Sequence, residues 1–175
     1  MTILEDLGYE FIPPNAARRA MQKLGSTRPM AWLFQRTLFP LDKMVFHRTG
    51  GRTSITGLLA GVPVLLLTTT GAKSGEPRTM PLLGIPFDDG LALIGSNFGQ
   101  ERTPGWVYNL EADPHATIGY LDKTVDVVAS RAEQSQTEEV FARAAEIYPG
   151  YAEYRRRADH RTIRVFLLRP AGDES

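Results

Sequence analysis

Residues 68–82 read TTTGAKSGEPRTMPL, and the fold turns on how this stretch is interpreted. Upstream, 62–69 is an apolar and threonine-rich run; downstream, 78–87 is a second extended run. Both have the composition of strands. The unit between them therefore predicts an antiparallel strand–turn–strand pair. Two residues suffice to join such strands, yet this connection is longer and carries Gly71, Lys73, Ser74, Gly75, Pro77 and Arg78. Gly71-Ala72-Lys73-Ser74 looks like the end of a nucleotide-binding P-loop, but that motif needs Gly-Lys-Ser/Thr in direct succession and a helix behind it. Gly75 and Pro77 stop any helix here, and nucleotide hydrolysis is set aside. What survives is physical. Gly71 and Gly75 let backbone N–H groups turn toward a ligand. Ser74 and Thr79 add hydroxyls, and Lys73 and Arg78 add positive charge. Such a loop suits a phosphate or carboxylate. A merely solvated, solubilising loop has the same composition, and the residues alone leave both readings open.

Working outward, 91–96, 116–121, 124–130 and 163–168 also read as strands. Asp88-Asp89-Gly90 and Asp122-Lys123 supply turns between neighbours. A short helix is expected over 104–111, ended by Asp113-Pro114. A longer one is expected from Ser135, which with Glu138 has capping-box spacing; Val140, Phe141, Ala144, Ile147 and Tyr148 then share a face. Pro149-Gly150 breaks it and 151–157 resumes. The predicted class is mainly β with helices: an antiparallel sheet or small barrel partly covered by helices.

The first fifty residues differ. Residues 13–46 have interrupted helical character, with Trp32 and Phe34 beside Arg28 and Arg36. Between Arg18 and Arg52 stand eight Lys/Arg and one acid, Asp42. Such a segment fits a flap over the sheet or a contact with a membrane surface. Gly50-Gly51 is the expected joint, dividing 1–50, a helical N-terminal segment, from 51–175, the β domain. Over the whole chain 20 basic and 20 acidic residues cancel, which leaves no electrostatic footprint for nucleic acid. The absence of cysteine excludes disulfides, thiolate metal sites and thiol nucleophiles. Residues 1–17 lack a secretory pattern, and the longest apolar run, 58–67, is about half of the ~20 residues a membrane span needs. The expectation is a cytoplasmic protein, with peripheral contact at the inner face of the membrane left open.

Two further clusters could carry chemistry. IGSNFGQERTPGWVYNL, 94–110, sets Gly95, Ser96 and Asn97 at a strand end, where small and amide-bearing residues can admit a ring close to backbone. Trp106 then either covers that ring or packs in the core. Tyr148, Tyr151 and Tyr154 recur at spacing three and either line a pocket or pack. Arg155-Arg156-Arg157 reads as a solvated face. His47, His115 and His160 have no metal spacing, and neither a Gly-x-Ser-x-Gly elbow nor a Gly-x-Gly-x-x-Gly turn occurs. No self-contained catalytic machine is present, so an enzymatic role implies that a cofactor carries the chemistry.

Together, VPVLLLTTTGAKSGEPRTMPLL (62–83), GSNFGQERTPGWVYNLEADP (95–114) and YPGYAEY (148–154) resemble, in order and spacing, the deazaflavin (F420)-dependent nitroreductase family. The likeness covers roughly 50–170. The resemblance implies a split β-barrel of the FMN-binding type. It implies coenzyme F420 as cofactor, and hydride transfer from its reduced form to a quinone, nitroaromatic or activated enone. By the same resemblance Ala72, Lys73, Ser74, Arg78 and Thr79 meet the phosphate and acidic tail, and Met80, Pro81, Leu82 and Leu83 run beside the deazaflavin. Ile94, Gly95, Ser96 and Asn97 approach the ring; Gly105, Trp106, Val107, Tyr108 and Asn109 wall it; Tyr151 faces it, with Tyr148 and Tyr154 toward the acceptor. Ser96 and the three tyrosines are the expected catalytic groups. Asn97 and Leu83 stand where the nitroimidazole-activating member has lysine and tyrosine, so the likeness speaks for cofactor binding more than for nitro reduction. An FMN oxidoreductase on the same barrel and a non-catalytic carrier of lipid or small ligands, docked at membranes, are the alternatives.

Overall fold

The computed structural model describes residues 3–9 and 64–172. The opening stretch is the expected hairpin. β1 (Val64–Thr70) pairs antiparallel with β2 (Pro77–Leu83), Val64 opposite Leu83 and Thr70 opposite Pro77, around a six-residue connection. β1 alternates half-buried and buried residues, as a strand with one face on the core must.

The run 78–87, expected as one strand, is broken at Gly84 into β2 and β3 (Ile85–Phe87). Their partners differ: β2 bonds to β1, β3 to β4 (Gly90–Ile94). With β5 (His115–Tyr120), β6 (Lys123–Arg131) and β7 (Val165–Pro170), the seven strands form one sheet in the order β2-β1-β5-β6-β7-β4-β3. Its two outermost strands are thus consecutive in the chain and separated by one residue. Since adjacent Cα atoms lie about 3.8 Å apart, the sheet must curl until its edges meet. Pro77, Pro81 and Pro86 all lie on this edge run, the position in a sheet that tolerates residues without an N–H.

Two turns differ in detail from expectation. Asp88-Asp89 links β3 to β4, with Asp88 at φ 49°, as predicted. Between β5 and β6, however, Lys123 pairs with Tyr120, so the turn is Leu121-Asp122, with Leu121 at φ 55°.

Curling gives the strands two buried faces. Leu91, Leu93, Phe166 and Leu168 enter an inner core with Leu65, Leu67, Ile118 and Val127; Ala92, Ile94, Val165 and Leu167 enter an outer one. α2 (Gly105–Ala112) closes the inner core with Trp106, Val107 and Leu110. α3 (Gln134–Ile147) and α4 (Gly150–Arg157) cover the outer one. The capping box of α3 is Glu133 with Gln136, not Ser135 with Glu138: the Glu133 N–H donates to Gln136 Oε1 at 3.0 Å, and the Glu133 side chain accepts in return. The helix thus begins two positions earlier than the Ser/Thr rule implies.

At the other end of the chain, α1 (Ile3–Leu7) sets Ile3 and Leu7 one turn apart, both fully buried in the inner core. Tyr9 follows; its hydroxyl donates to the Gly84 carbonyl at 2.8 Å and its ring meets Tyr120 edge-on at 5.2 Å. Residues 3–9, assigned by sequence to a separate segment, are therefore integral to the barrel. The expected helices of 13–46, their basic surface and the Gly50-Gly51 joint lie outside the described residues.

Candidate active site

The cationic connection is a closed turn. Gly71 N–H donates to the Glu76 carbonyl, and Ser74 and Gly75 N–H both donate to the Gly71 carbonyl. Glu76 N–H donates to Ser74 Oγ at 3.3 Å. Ala72 N–H donates to Asn109 Oδ1 at 3.0 Å, while Asn109 Nδ2 donates to Thr69 Oγ1 at 2.9 Å. Asn109, on α2, thus staples the loop to the end of β1. The expectation that backbone N–H groups turn outward to a ligand is corrected for these five amides: four are consumed inside the loop and that of Ala72 by Asn109. What the loop offers is side chains. Lys73, Ser74, Arg78 and Thr79 are exposed, Arg78 Nη2 donates to Ser74 Oγ at 3.2 Å, and Thr79 pairs with Thr68 at 2.8 Å between hydroxyl oxygens. Among the described residues neither Lys73 nor Arg78 has a carboxylate partner.

From Arg78 the strand runs five residues to Leu83, roughly 17 Å at the usual strand rise. Its second half, Met80, Pro81, Leu82 and Leu83, is half-buried. Met80 and Leu82 lean on the inner core and Leu83 on the outer. Leu83 shares the outer cluster's half-buried rim with Phe98 and Tyr148.

Behind that rim stand the tyrosines. The rings of Tyr148, Tyr151 and Tyr154 lie 6.0 to 6.1 Å apart, and the hydroxyls of Tyr148 and Tyr154 are 3.3 Å apart. The Arg157 guanidinium lies 5.9 Å from the Tyr154 ring centre. Burial raises all three phenols above their ordinary range, so they are neutral hydrogen-bond donors at physiological pH. Tyr151 is 7% exposed, and its hydroxyl has no hydrogen-bond partner among the described residues.

Ser96 follows the end of β4. It is 5% exposed, and its Oγ likewise has no partner among the described residues. The next three residues, Asn97, Phe98 and Gly99, all have positive φ, at 47°, 55° and 75°. A non-glycine residue in this region costs roughly 1–2 kcal/mol, so the turn needs outside support. The Asn97 amide donates to the Arg102 carbonyl at 2.8 Å, and the Phe98 ring meets Tyr154 edge-on at 5.7 Å. Gly99 presses against α4, where an added Cβ would stand 2.7 Å from Arg157 Cβ and 3.0 Å from the Tyr154 carbonyl. Arg161 completes the support: its guanidinium donates to the carbonyls of Gly95 at 3.2 Å, Ser96 at 2.8 Å and Gln100 at 3.1 Å. Sequence reading missed Arg161 entirely.

Four residues expected near the ring, Trp106, Val107, Gly95 and Ile94, are engaged in packing. Trp106, read as a cofactor wall or as core, is 3% exposed and packs edge-on against Phe166 at 5.8 Å; Val107 is fully buried. Of the helix-start residues, Gly105, Tyr108 and Asn109 remain outward. Gly95 was expected to make room for a ring. A Cβ there would meet Val107 Cγ2 at 2.8 Å and the Arg164 carbonyl at 3.0 Å, so its smallness serves packing between α2 and the approach to β7. Ile94, also assigned to the ring, is in the outer core.

A cleft of about 790 Å³ lies between α3, α4 and residues 158–165 and includes none of the sequence-selected residues. Its arginines are mostly committed: Arg155 forks onto Glu138, Arg156 pairs with Glu153, and Arg131 and Arg164 share Glu111. Lys73 and Arg78, without carboxylate partners among the described residues, stand instead at the loop end of β2, and Leu83 at its other end packs on the cluster that holds Tyr151.

A curled antiparallel sheet of this order, with helices on its outer face, is the split barrel of flavin- and deazaflavin-binding oxidoreductases. The chain belongs to the F420H(2)-dependent quinone reductase family, whose sequence profile matches residues 41–170. An F420H(2)-dependent quinone reductase of Mycobacterium tuberculosis H37Rv is 38% identical over 93 residues, 53% of this chain and 61% of that protein. The match thus spans less than two thirds of the curated relatives' length. A solved F420-H2 dependent reductase, FDR-A, is 38% identical with a TM-score of 0.55, covering 61% of this chain and 93% of that one. Another solved relative, described as a domain-swapped dimer, is 33% identical with a TM-score of 0.57, covering 80% of this chain and 98% of that one. The family's namesake cofactor is F420H2, which favours the deazaflavin over FMN and an enzyme over a carrier.

Among the described residues no helix is long and apolar enough to cross a membrane, and no group of His, Cys, Asp or Glu could hold a metal ion.

Proposed function

We propose that the protein is an oxidoreductase that draws on reduced coenzyme F420 and reduces an electron-poor, quinone-type acceptor. The observation that carries this reading is the two-part character of β2 and its loop. Among the described residues, exposed cations without carboxylate partners stand at one end, and a half-buried apolar edge runs from them to Leu83, which packs on the cluster of the buried Tyr151, whose hydroxyl is without a partner. A buried polar atom left unpaired costs about 1–3 kcal/mol, so native proteins usually match it with a ligand or water. These residues fit a ligand with an anionic end and a ring end, as F420 is.

When bound, reduced F420 supplies the hydride. The chain's own residues do the rest. Lys73, Ser74, Arg78 and Thr79 hold the anionic end. Asn109 keeps their loop in place. Met80 to Leu83 give the ring an edge to lie along, and Leu83, Phe98 and Tyr148 exclude water beside it. Ser96 Oγ and the neutral hydroxyls of Tyr151 and Tyr148 donate hydrogen bonds to oxygen on the acceptor, where charge develops during reduction. They also supply a route for its proton.

The test is a double dissociation, read by calorimetric titration with F420 and by steady-state turnover with a soluble quinone. Lys73→Ala should weaken F420 binding roughly 10- to 100-fold, the loss of one charge-assisted hydrogen bond, and more so at low salt. Ser96→Ala and Tyr151→Phe should leave binding within twofold and lower kcat by about 10²-fold. FMN serves as the control ligand. Unchanged F420 affinity of Lys73→Ala at low salt would sink the proposed role of the loop.

A further inference from the structure

We infer that Arg161 is a positioning residue that sets Ser96 against the tyrosine helix. The inference rests on the functional reading of Ser96 given above and deepens it.

Arg161 lies in the segment that leads from α4 into β7, and its own N–H bonds to the Ala158 carbonyl just beyond the helix. Its planar fork spans three carbonyls of a single turn: Gly95, Ser96 and Gln100. No carboxylate among the described residues pairs with it. The charge is therefore spent on peptide oxygens, in charge-assisted bonds stronger than those between neutral partners. The fork's geometry matters as much as its charge, because a lysine ammonium is a point donor that cannot bridge three fixed acceptors in one plane.

The turn it holds has costly backbone geometry. Three successive positive φ angles follow Ser96; two backbone bonds close the turn, Gly99 N–H to the Ser96 carbonyl at 2.9 Å and Gln100 N–H to the Asn97 carbonyl at 3.0 Å, and the Asn97 side-chain amide donates to Gln100 Oε1 at 3.4 Å and to the Arg102 carbonyl at 2.8 Å. The Ser96 carbonyl accepts from both Gly99 and Arg161. The same turn carries Phe98 onto Tyr154 and Gly99 onto the α4 backbone. Arg161 thus couples two pieces that must be in mutual register: the strand end that aims Ser96 Oγ, and the helix that aims the phenols. Displacement of such groups by about 1 Å can cost 10²-fold in rate without touching affinity elsewhere.

The experiment compares wild type, Arg161→Ala and Arg161→Lys by two readouts. The first is amide hydrogen exchange of the ligand-free protein. Arg161→Ala should accelerate exchange at Gly99 and Gln100 and leave the β4 amides protected. The second is a split of kinetic constants with F420H2 and a soluble quinone: kcat down about 10²-fold, F420 affinity within twofold. Guanidinium ion at low millimolar, non-denaturing concentration should restore part of both in Arg161→Ala. Arg161→Lys should fall between. Exchange unchanged at Gly99 and Gln100, or kcat and F420 affinity lost in parallel, would overturn the assignment. Should Arg161→Ala fail to fold, Arg161→Lys decides: wild-type behaviour on both readouts refutes the positioning role. A wild-type protein without F420H2 turnover would remove the functional reading, while the exchange data would still show whether the clamp exists.

Discussion

Buried hydroxyls in this molecule fall into two kinds. Tyr9 and Thr69 are satisfied by the Gly84 carbonyl and by Asn109, and their work is structural. The side-chain hydroxyls of Ser96 and Tyr151 have no partner among the described residues, and on the proposed reading they are met by a bound molecule. The buried phenols also make a pH prediction. Tyr9, Tyr148, Tyr151 and Tyr154 are all raised above the ordinary phenol value of about 10, with burial the largest cause. Unfolding would return them to that value. The folded state then binds more protons than the unfolded one above pH ~10, so stability is fully present below that pH and falls as pH rises beyond it. In an alkaline titration the absorbance of tyrosinate from these four should appear together with loss of the far-ultraviolet dichroism. Their ionisation well before unfolding would contradict the burial described. At this scale residue type and spacing singled out Lys73, Ser96 and the tyrosines, and the structure shows Lys73 exposed and Ser96, Tyr151 and Tyr154 buried. Arg161 was not legible, because its acceptors are backbone oxygens 61 to 66 residues away and leave no local pattern. Trp106 could be read either way, since an indole at a helix start suits a core as well as a cleft.

Helix boundaries show how an element can be right in kind and shifted in place. Ser135 has the favoured chemistry for a cap, but Glu133 occupies the position and Gln136 answers it. Glu133→Ala should therefore destabilise the protein by about 1 kcal/mol, measured by urea denaturation. Ser135→Ala, at an exposed site within the helix, should be nearly neutral. Equal effects would restore the serine cap. The strand 78–87 was shifted in another way. Continuous in sequence, it is one run bent at Gly84 whose halves serve opposite edges of the sheet, a division that depends on partners far along the chain. The six-residue connection was legible as an exposed loop bearing Lys73, with Arg78 just beyond it. Its internal bonding was not, because composition cannot tell which amides fold back on the loop itself.

For the molecule as a whole, the hairpins and the amphipathic helix were enough to predict an antiparallel sheet or small barrel with helices on it, and the family resemblance narrowed this to the split barrel. The inward docking of residues 3–9 was not expected, since five helical residues have too little periodicity to announce their partner. Leu7 is 1% exposed in the inner core. Leu7→Ala should cost about 2–5 kcal/mol and lower the urea midpoint at unchanged slope. A loss below 1 kcal/mol would mean that the segment does not belong to the fold. The same docking places Tyr9 on the Gly84 carbonyl, so the N-terminal residues brace the seam where the two edges meet.

That seam bears on how the protein behaves when crowded. An outermost strand normally offers a ladder for a neighbouring chain, and stacked ladders are how fibres grow. Here Pro77, Pro81 and Pro86 remove a rung every four or five residues, and the run changes direction between them. A barrel whose closure leaves one edge within reach of solvent thus carries its own guard against chain-to-chain zippering during refolding at high concentration.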